Sequence, residues 1–240
     1  MNTEHRSITV SDIEVHIERK DIKNLHLGVY PPNGRVRVAV PLLISDEAVR
    51  LAVIGKLGWI RRQQAKFEQQ PRQSERQMVN GESHYFLGQR YLLQVQEQPG
   101  KQYAALSGRR CLNLFVNPNR STAQREAVLA RWYRQQLAEL LPALLAQWET
   151  ALGVQASAWG IKKMKTRWGS CNTVSKRLWF NLELAKKSLP CLEYVVVHEL
   201  AHLLVPNHSA QFKALLDQHL PHWKSHRALL NQQHLGHEDW

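Results

Sequence analysis

The feature that most constrains this chain is the stretch Val195–His208, which reads VVVHELAHLLVPNH. It places His198 and His202 four residues apart, puts Glu199 beside the first, and has His208 six residues beyond the second. On an α-helix, residues four apart lie on the same face, so both imidazoles can direct a nitrogen at one Zn²⁺ about 2.0–2.1 Å away. The glutamate is rotated by roughly 100° around the helix, which places its carboxylate beside the ion rather than on it. The pattern therefore predicts a helix that holds a metal and is equipped for hydrolysis by an activated water.

The third metal ligand is predicted to be His208. Val205-Pro206-Asn207 ends the helix, because the residue before a proline is pushed out of the helical region, and the chain can then turn back toward the ion. The alternative third ligands are carboxylates, at Asp217, Glu238 and Asp239. Three protein ligands leave a fourth position open for water, which is typical of a catalytic zinc site. We expect one Zn²⁺ per chain, although another divalent metal fits the same ligand types.

A structural cluster of histidines is the competing interpretation of this stretch. Eight of the 12 histidines follow residue 197, so a third histidine near the pair is less surprising than in an average sequence. However, the apolar run Tyr194-Val195-Val196-Val197 indicates that the helix enters a core before it presents its polar triplet. Buried polar side chains without partners are costly, and a metal ion satisfies all three at once. This favours the metal site.

Composition restricts the class of protein. The chain has 240 residues, of which 43% are hydrophobic and 22% charged, as in globular proteins. No apolar run approaches the roughly 18–20 residues of a membrane span, and the beginning MNTEHRSITV lacks the pattern of a signal peptide. The three cysteines, Cys111, Cys171 and Cys191, form no Cys-x-x-Cys pair. We therefore expect a cytoplasmic protein with no membrane segment and no disulfide framework.

A net charge of +12 points to anionic partners, including nucleic acid and nucleotides. Part of this charge is concentrated upstream of the metal helix, at Lys162, Lys163, Lys165, Arg167, Lys176 and Arg177. An ordinary solvated face is the alternative interpretation of such a charge run.

The chain is predicted to have two parts. Residues 1–118 are expected to form a β-rich N-terminal region with one helix. Its strands are predicted at 8–19, 25–30, 35–40, 81–95 and 106–116, with a hairpin turn at Asn33-Gly34 and a helix that starts at Ser45 or Asp46. We see no internal repeat.

Residues 119–240 are expected to form the catalytic region that carries the metal helix. A long helix begins at the capping box Ser121–Gln124 and ends at Gly153. Two strands follow, at 161–168 and 178–182, with a turn at Ser170-Cys171-Asn172 between them. Pro190 is expected in the first turn of the metal helix.

With these residues in place, the chain resembles the YgjP-like metallopeptidase family, relatives of the SprT-like and WLM-type zinc peptidases in the zincin group. The resemblance extends from about Ile13 to Leu230, and its most specific segments are Arg167-Trp168-Gly169-Ser170-Cys171, Phe180-Asn181-Leu182, Tyr194–His202 and Asn207-His208-Ser209. It implies an α+β fold with a zincin-like catalytic region. It also implies that His198, His202 and His208 are the ligands and that Glu199 is the general base.

Three functions fit these residues. The first is a zinc metallopeptidase that acts on a peptide or protein, with Arg167 and Ser170 lining the substrate cleft. The second is a phosphoanhydride hydrolase of the pyrophosphatase type that acts on nucleoside triphosphates, with Arg167 holding the phosphates. The third is a DNA-associated protease tethered by its basic surface. A closed, non-catalytic zinc module would need a fourth protein ligand, for which Cys171 and His222 are the candidates.

Overall fold

The computed structural model describes residues 4–30, 34–69, 76–164 and 167–232. Several sequence predictions fall outside these ranges: the turn residue Asn33, the basic Lys165, and the alternative ligands Glu238 and Asp239.

The described residues form strands in the first half and mainly helices in the second. The strands are β1 (Glu4–Val10), β2 (Ile13–Lys20), β3 (His26–Tyr30), β4 (Arg35–Pro41), β5 (Ser83–Phe86), β6 (Gln89–Glu97), β7 (Tyr103–Ser107), β8 (Cys111–Val116), β9 (Ala158–Lys162), β10 (Gly169–Asn172) and β11 (Arg177–Asn181). The helices are α1 (Asp46–Ile54), α2 (Leu57–Gln69), α3 (Thr122–Leu152), α4 (Leu189–Ala201), α5 (Ala210–His219) and α6 (Trp223–Gln232), with a 3₁₀ helix at Leu182–Lys186. The α+β class predicted from the sequence is confirmed.

Two compact units divide the chain between Ser74 and Glu75. In the first unit, the sheet β1-β2-β4-β3 and helices α1 and α2 share a core around Val15, Val36 and Val38. The second unit has one larger core, which includes the sheet β5-β6-β8-β7, helix α3 and the later helices.

This division differs from the predicted boundary at residue 118. Strands β5–β8 belong with the catalytic region because the buried face of their sheet packs on α3, where Leu93, Leu112 and Leu114 share a core with Leu129 and Leu137. Alternation of apolar residues identifies strands, but it does not show which helix covers them.

The two four-stranded sheets have the same topology. In each, the first two strands form an antiparallel pair, the second lies parallel to the fourth, and the third and fourth are antiparallel. A helix follows the fourth strand in both. This repeat of topology is not evident in the sequence, because apolar alternation is shared by unrelated strands.

Local turns account for the other differences from prediction. The stretch 8–19 is a hairpin rather than one strand, with Ser11 at φ 57° in its turn, and 81–95 is interrupted at Leu87-Gly88, where both φ values are positive. The single helix predicted after Ser45 is two helices, since α1 ends at Gly55. The predicted turn Ser170-Cys171-Asn172 is instead strand β10, which pairs antiparallel with β11.

Helix α3 begins and ends as predicted. Ser121 accepts a hydrogen bond from the Gln124 amide, the Gln124 side chain closes the capping box, and Gly153 ends the helix with φ 65°. Helix α4 packs against α3, α6 and strand β10, and its residues Val195–Val197 are at most 2% exposed. This packing fixes the backbone that carries the histidine pair. No helix in the described ranges is long and apolar enough to cross a membrane.

Leu137→Ala should strongly destabilise the second unit. Leu137 is fully buried in the middle of α3, and deleting such a side chain removes apolar contacts and leaves a cavity. We expect the free energy of unfolding to fall by about 2–5 kcal/mol in urea titrations followed by circular dichroism. Arg134→Ala, at an exposed position on the same helix, is the matched control and should change it by less than about 0.5 kcal/mol.

Candidate metal centre

Three imidazoles converge at the end of α4. One ligand atom from each of His198, His202 and His208 lies within 4.8 Å of the other two, and the Nε2 atoms of His198 and His208 are 3.0 Å apart. The ring centroids of the three residues are 4.8–4.9 Å from one another. The structure therefore brings together the three residues predicted as ligands.

Helix α5 places His208 opposite the pair on α4. The backbone amide of Val205 donates to the carbonyl of Ala201 at 2.9 Å, which closes the end of α4. Ser209 then caps α5, with its hydroxyl accepting from the Phe212 amide. His208 immediately precedes this cap, so the start of α5 determines where its ring lies.

Phe212 packs against the histidine cluster. It is 2% exposed, and its ring centroid lies 5.0, 4.7 and 4.9 Å from those of His198, His202 and His208. One apolar ring thus contacts all three imidazoles and limits their rotation. Ordered rings reduce the conformational entropy lost when a metal binds.

The donor set fits a zinc ion. Tetrahedral zinc with bonds of about 2.0–2.1 Å requires nitrogen atoms about 3.3 Å apart, close to the distance between Nε2 of His198 and of His208. Metal binding also needs neutral imidazoles. Burial, with smaller contributions from the other two histidines, lowers the pKa of His198 to about 3, and burial likewise lowers the pKa of His202. Both rings are therefore neutral at physiological pH.

Neighbouring oxygen atoms orient two of the rings. Nδ1 of His202 lies 3.3 Å from the Val205 carbonyl oxygen, so a proton on Nδ1 is donated to that carbonyl and Nε2 keeps its lone pair. Nδ1 of His198 lies 3.4 Å from the Tyr194 hydroxyl. The carbonyl can only accept, so it favours the His202 tautomer that presents Nε2 to a metal, and the Tyr194 hydroxyl fixes the orientation of the His198 ring.

Glu199 is held next to the cluster in a buried position. It is 5% exposed, and burial raises the pKa of its carboxyl group to about 8, although the positive charge of Arg167 acts in the opposite direction. A divalent cation beside the carboxylate would lower this pKa again. Burial thus makes the carboxylate more basic, and a bound cation would keep it ionised.

Gly169 makes room for the Glu199 carboxylate. A Cβ atom added to Gly169 would lie 2.5 Å from Oε1 and 2.8 Å from Cδ of Glu199, well inside contact distance. Strand β10 therefore passes directly over the carboxylate, and only glycine permits this approach.

A cleft of about 540 Å³ opens in front of the cluster. The three histidines and Glu199 line it together with Arg167, Ser170 and Tyr194, and Arg227 of α6 lies on its wall. Arg167 and Ser170, predicted to bind substrate, thus lie in the cleft. Among the described residues that line the cleft, Glu199 is the only one with a carboxylate.

The candidates for a fourth protein ligand do not join the cluster. Among the described residues, the group able to hold a metal contains the three histidines alone. Cys171 lines the cleft, but burial and the nearby Glu199 charge raise the pKa of its thiol to about 11, which keeps it protonated. His222 does not line the cleft. This arrangement leaves a coordination position for water or substrate.

Sequence reasoning assigned no role in the site to Tyr194 or Arg227. The sequence could have indicated a role for Tyr194, because it lies four residues before His198 on the same helix face. The spacing of residues does not indicate such a role for Arg227, since α6 reaches the cleft only through tertiary packing. In that packing, Trp223 of α6 stacks on Tyr194 with ring centroids 6.3 Å apart.

Comparisons with known proteins gave a match to one family model and matches to solved structures. The family model described as YgjP-like, metallopeptidase domain matches residues 23–233. A search of curated proteins gave no match. Among solved structures, the metallopeptidase zymogen jannalysin of Methanocaldococcus jannaschii is 22% identical, with 38% of this chain and 93% of that chain covered and a TM-score of 0.35. The zymogen abylysin of Pyrococcus abyssi is 21% identical, with coverages of 38% and 92% and a TM-score of 0.35.

Gly169→Ala should displace Glu199 without removing the metal ligands. The backbone conformation of Gly169 is open to alanine, so the effect is steric and falls on the carboxylate. We expect hydrolysis to fall at least tenfold, since misplacing a catalytic group by about 1 Å costs about 10²-fold. Zinc stoichiometry should stay at one per chain by metal analysis. Gly58→Ala, where the nearest atom to the added Cβ is 3.6 Å away, is the control; equal activity of the two variants would refute the role of Gly169.

Proposed function

This chain belongs to the YgjP-like family of metallopeptidases, and from that premise we propose that it is a zinc-dependent peptidase in which Glu199 activates the attacking water. His198, His202 and His208 would hold one Zn²⁺. The observation that carries the proposal is the convergence of three imidazoles beside one buried carboxylate, in a cleft.

Each residue of the centre has a definite task in this proposal. When bound, zinc lowers the pKa of its water toward about 7 and polarises the scissile carbonyl. Glu199 accepts a proton from the attacking water and passes it to the leaving amine. Tyr194 and the Val205 carbonyl orient the rings of His198 and His202. Phe212 packs against all three rings and limits their movement.

The position of strand β10 supports the proposal that the substrate is a peptide. In the part of the chain that the structure describes, β10 pairs with β11 on one side only, and its residues Gly169, Ser170 and Cys171 line the cleft. An extended peptide can add to such an edge through backbone hydrogen bonds. The scissile bond would then lie beside the metal centre.

Glu199→Gln should separate metal binding from turnover. The amide keeps the size of the side chain but cannot accept the proton, so we expect zinc to bind at one per chain while peptide cleavage falls about 10²–10⁴-fold. Cleavage is measured by mass spectrometry on a mixed-sequence peptide library. His208→Ala is the contrasting variant, and it should lose zinc as well as activity. Full turnover by Glu199→Gln would show that another group is the base.

The two arginines of the cleft favour a second candidate function, the hydrolysis of a phosphoanhydride in nucleoside triphosphates. The Arg167 charge acts on Glu199 and the Arg227 charge acts on His198 and Tyr194, so both guanidinium groups lie near the centre. No carboxylate of the described residues forms an ion pair with either. Guanidinium groups bind phosphate in a bidentate manner.

A nucleotide panel distinguishes the two functions. Under the peptidase proposal, the zinc-loaded protein releases neither phosphate nor pyrophosphate from nucleoside triphosphates while it cleaves the peptide library. Release that stops in Glu199→Gln and falls at least tenfold in Arg167→Ala, relative to Arg134→Ala, would instead establish the phosphoanhydride hydrolase.

The cytoplasmic location is also a proposal. All three cysteines are free, and two of them are only partly buried, which supports a reducing compartment.

A further inference from the structure

The outer face of the sheet β5-β6-β8-β7 is unlike its inner face. Alternate residues of the central strands are buried against the core, as shown by Leu93, Leu112 and Leu114 at 0% exposure. The intervening residues point away from the core and include Tyr85, Leu92, Gln94, Tyr103, Asn113 and Phe115. We call these six residues the aromatic sheet face.

Tyr103 and Phe115 form a stacked pair on this face. They are cross-strand partners on β7 and β8, with ring centroids 4.4 Å apart and an angle of 19° between ring planes. Tyr103 remains 40% exposed, and Tyr85 and Leu92 are 39% and 38% exposed. A flat pair of rings held on a rigid sheet is available to an aromatic ligand from solvent.

One end of the same sheet is strongly basic. Arg109 and Arg110 lie in the turn before β8, and Arg90 lies near the start of β6, two residues before Leu92, whose partner on β8 is Cys111. All three are exposed, and no carboxylate of the described residues forms an ion pair with them. Like charges on neighbouring strands repel each other, and an anionic partner relieves that repulsion.

Acidic groups are absent from the outward positions of these four strands, all of which the structure describes. The two glutamates of the segment already form ion pairs, Glu97 with Arg125 and Glu82 with Arg76. The surface thus combines aromatic rings, the exposed amide of Gln94 and arginines that form no ion pair with a described carboxylate. Along β8, from Cys111 to Phe115, it extends about 13 Å.

We propose that the aromatic sheet face and the adjoining arginines bind single-stranded nucleic acid. Bases stack on the Tyr103–Phe115 pair, the exposed amide of Gln94 meets base edges, and Arg90, Arg109 and Arg110 contact phosphates. Four-stranded sheets with exposed aromatic residues bind unpaired bases in this way, and basic rims supply the salt-dependent part of the affinity. In a duplex the bases are stacked on one another, so their faces cannot stack on the Tyr103–Phe115 rings. The proposal does not depend on the substrate of the metal centre.

The test uses the full-length, zinc-loaded protein with fluorescein-labelled oligouridylate and oligothymidylate of about 12 nucleotides. Fluorescence anisotropy is measured between about 50 and 200 mM salt. Wild type should bind at least one of the two strands, more tightly than a duplex of equal length. Tyr103→Ala should weaken binding about five- to hundredfold, whereas Tyr103→Phe, which keeps the ring, should bind within about twofold of wild type.

The basic end is tested with matched double variants. Arg109→Ala with Arg110→Ala should reduce the slope of log affinity against log salt by about 1.4, since each neutralised phosphate of a single strand contributes about 0.7. Arg131→Ala with Arg134→Ala removes the same charge from exposed positions on α3 and should leave the slope unchanged. Thermal unfolding and zinc content confirm that each variant is folded.

The preferred strand, RNA or DNA, identifies the class of ligand, and either result supports the proposal. Absence of binding by wild type, or equal loss in the two double variants, would overturn it. Binding of the duplex as tightly as the single strand, with no effect of Tyr103→Ala, would likewise count against the rings and refute the site.

Discussion

The site depends on one constraint: three imidazoles must remain neutral and close together at the end of a buried helix. Burial favours this for two of the rings because it lowers the pKa of His198 and of His202. Phe212 contacts all three rings and holds them in one arrangement. A divalent cation bound by these rings would also stabilise the charged form of the buried Glu199 carboxylate.

The surrounding fold serves this arrangement through close packing rather than through many polar contacts. Helix α4 is covered by α3, α6 and β10, which gives the histidine pair a fixed backbone. Strand β10 contributes twice, since Gly169 leaves room for the Glu199 carboxylate and Gly169, Ser170 and Cys171 line the cleft. In the proposed function, this one strand would position both the base and an extended substrate.

The second unit has two chemically different surfaces, the cleft and the outer face of its four-stranded sheet. The cleft carries the metal centre and two arginines, whereas the sheet β5-β6-β8-β7 buries one face against α3 and leaves the other to solvent. The same alternation of residues that builds the core therefore also builds the aromatic sheet face, because neighbouring side chains of a strand point to opposite sides. The net charge of +12 is consistent with anionic partners at both surfaces.

The sequence by itself determined the local features: the spacing of His198 and His202, the capping box that starts α3, and Gly153 at its end. These depend on contacts between residues a few positions apart, which the helical repeat makes readable. Tertiary structure alone decided what depends on distant residues. The contact between Gly169 and Glu199, the presence of Arg227 in the cleft and the packing of β5–β8 on α3 join segments far apart in the chain. No local periodicity encodes such pairings, because they are selected by the packing of whole faces against one another.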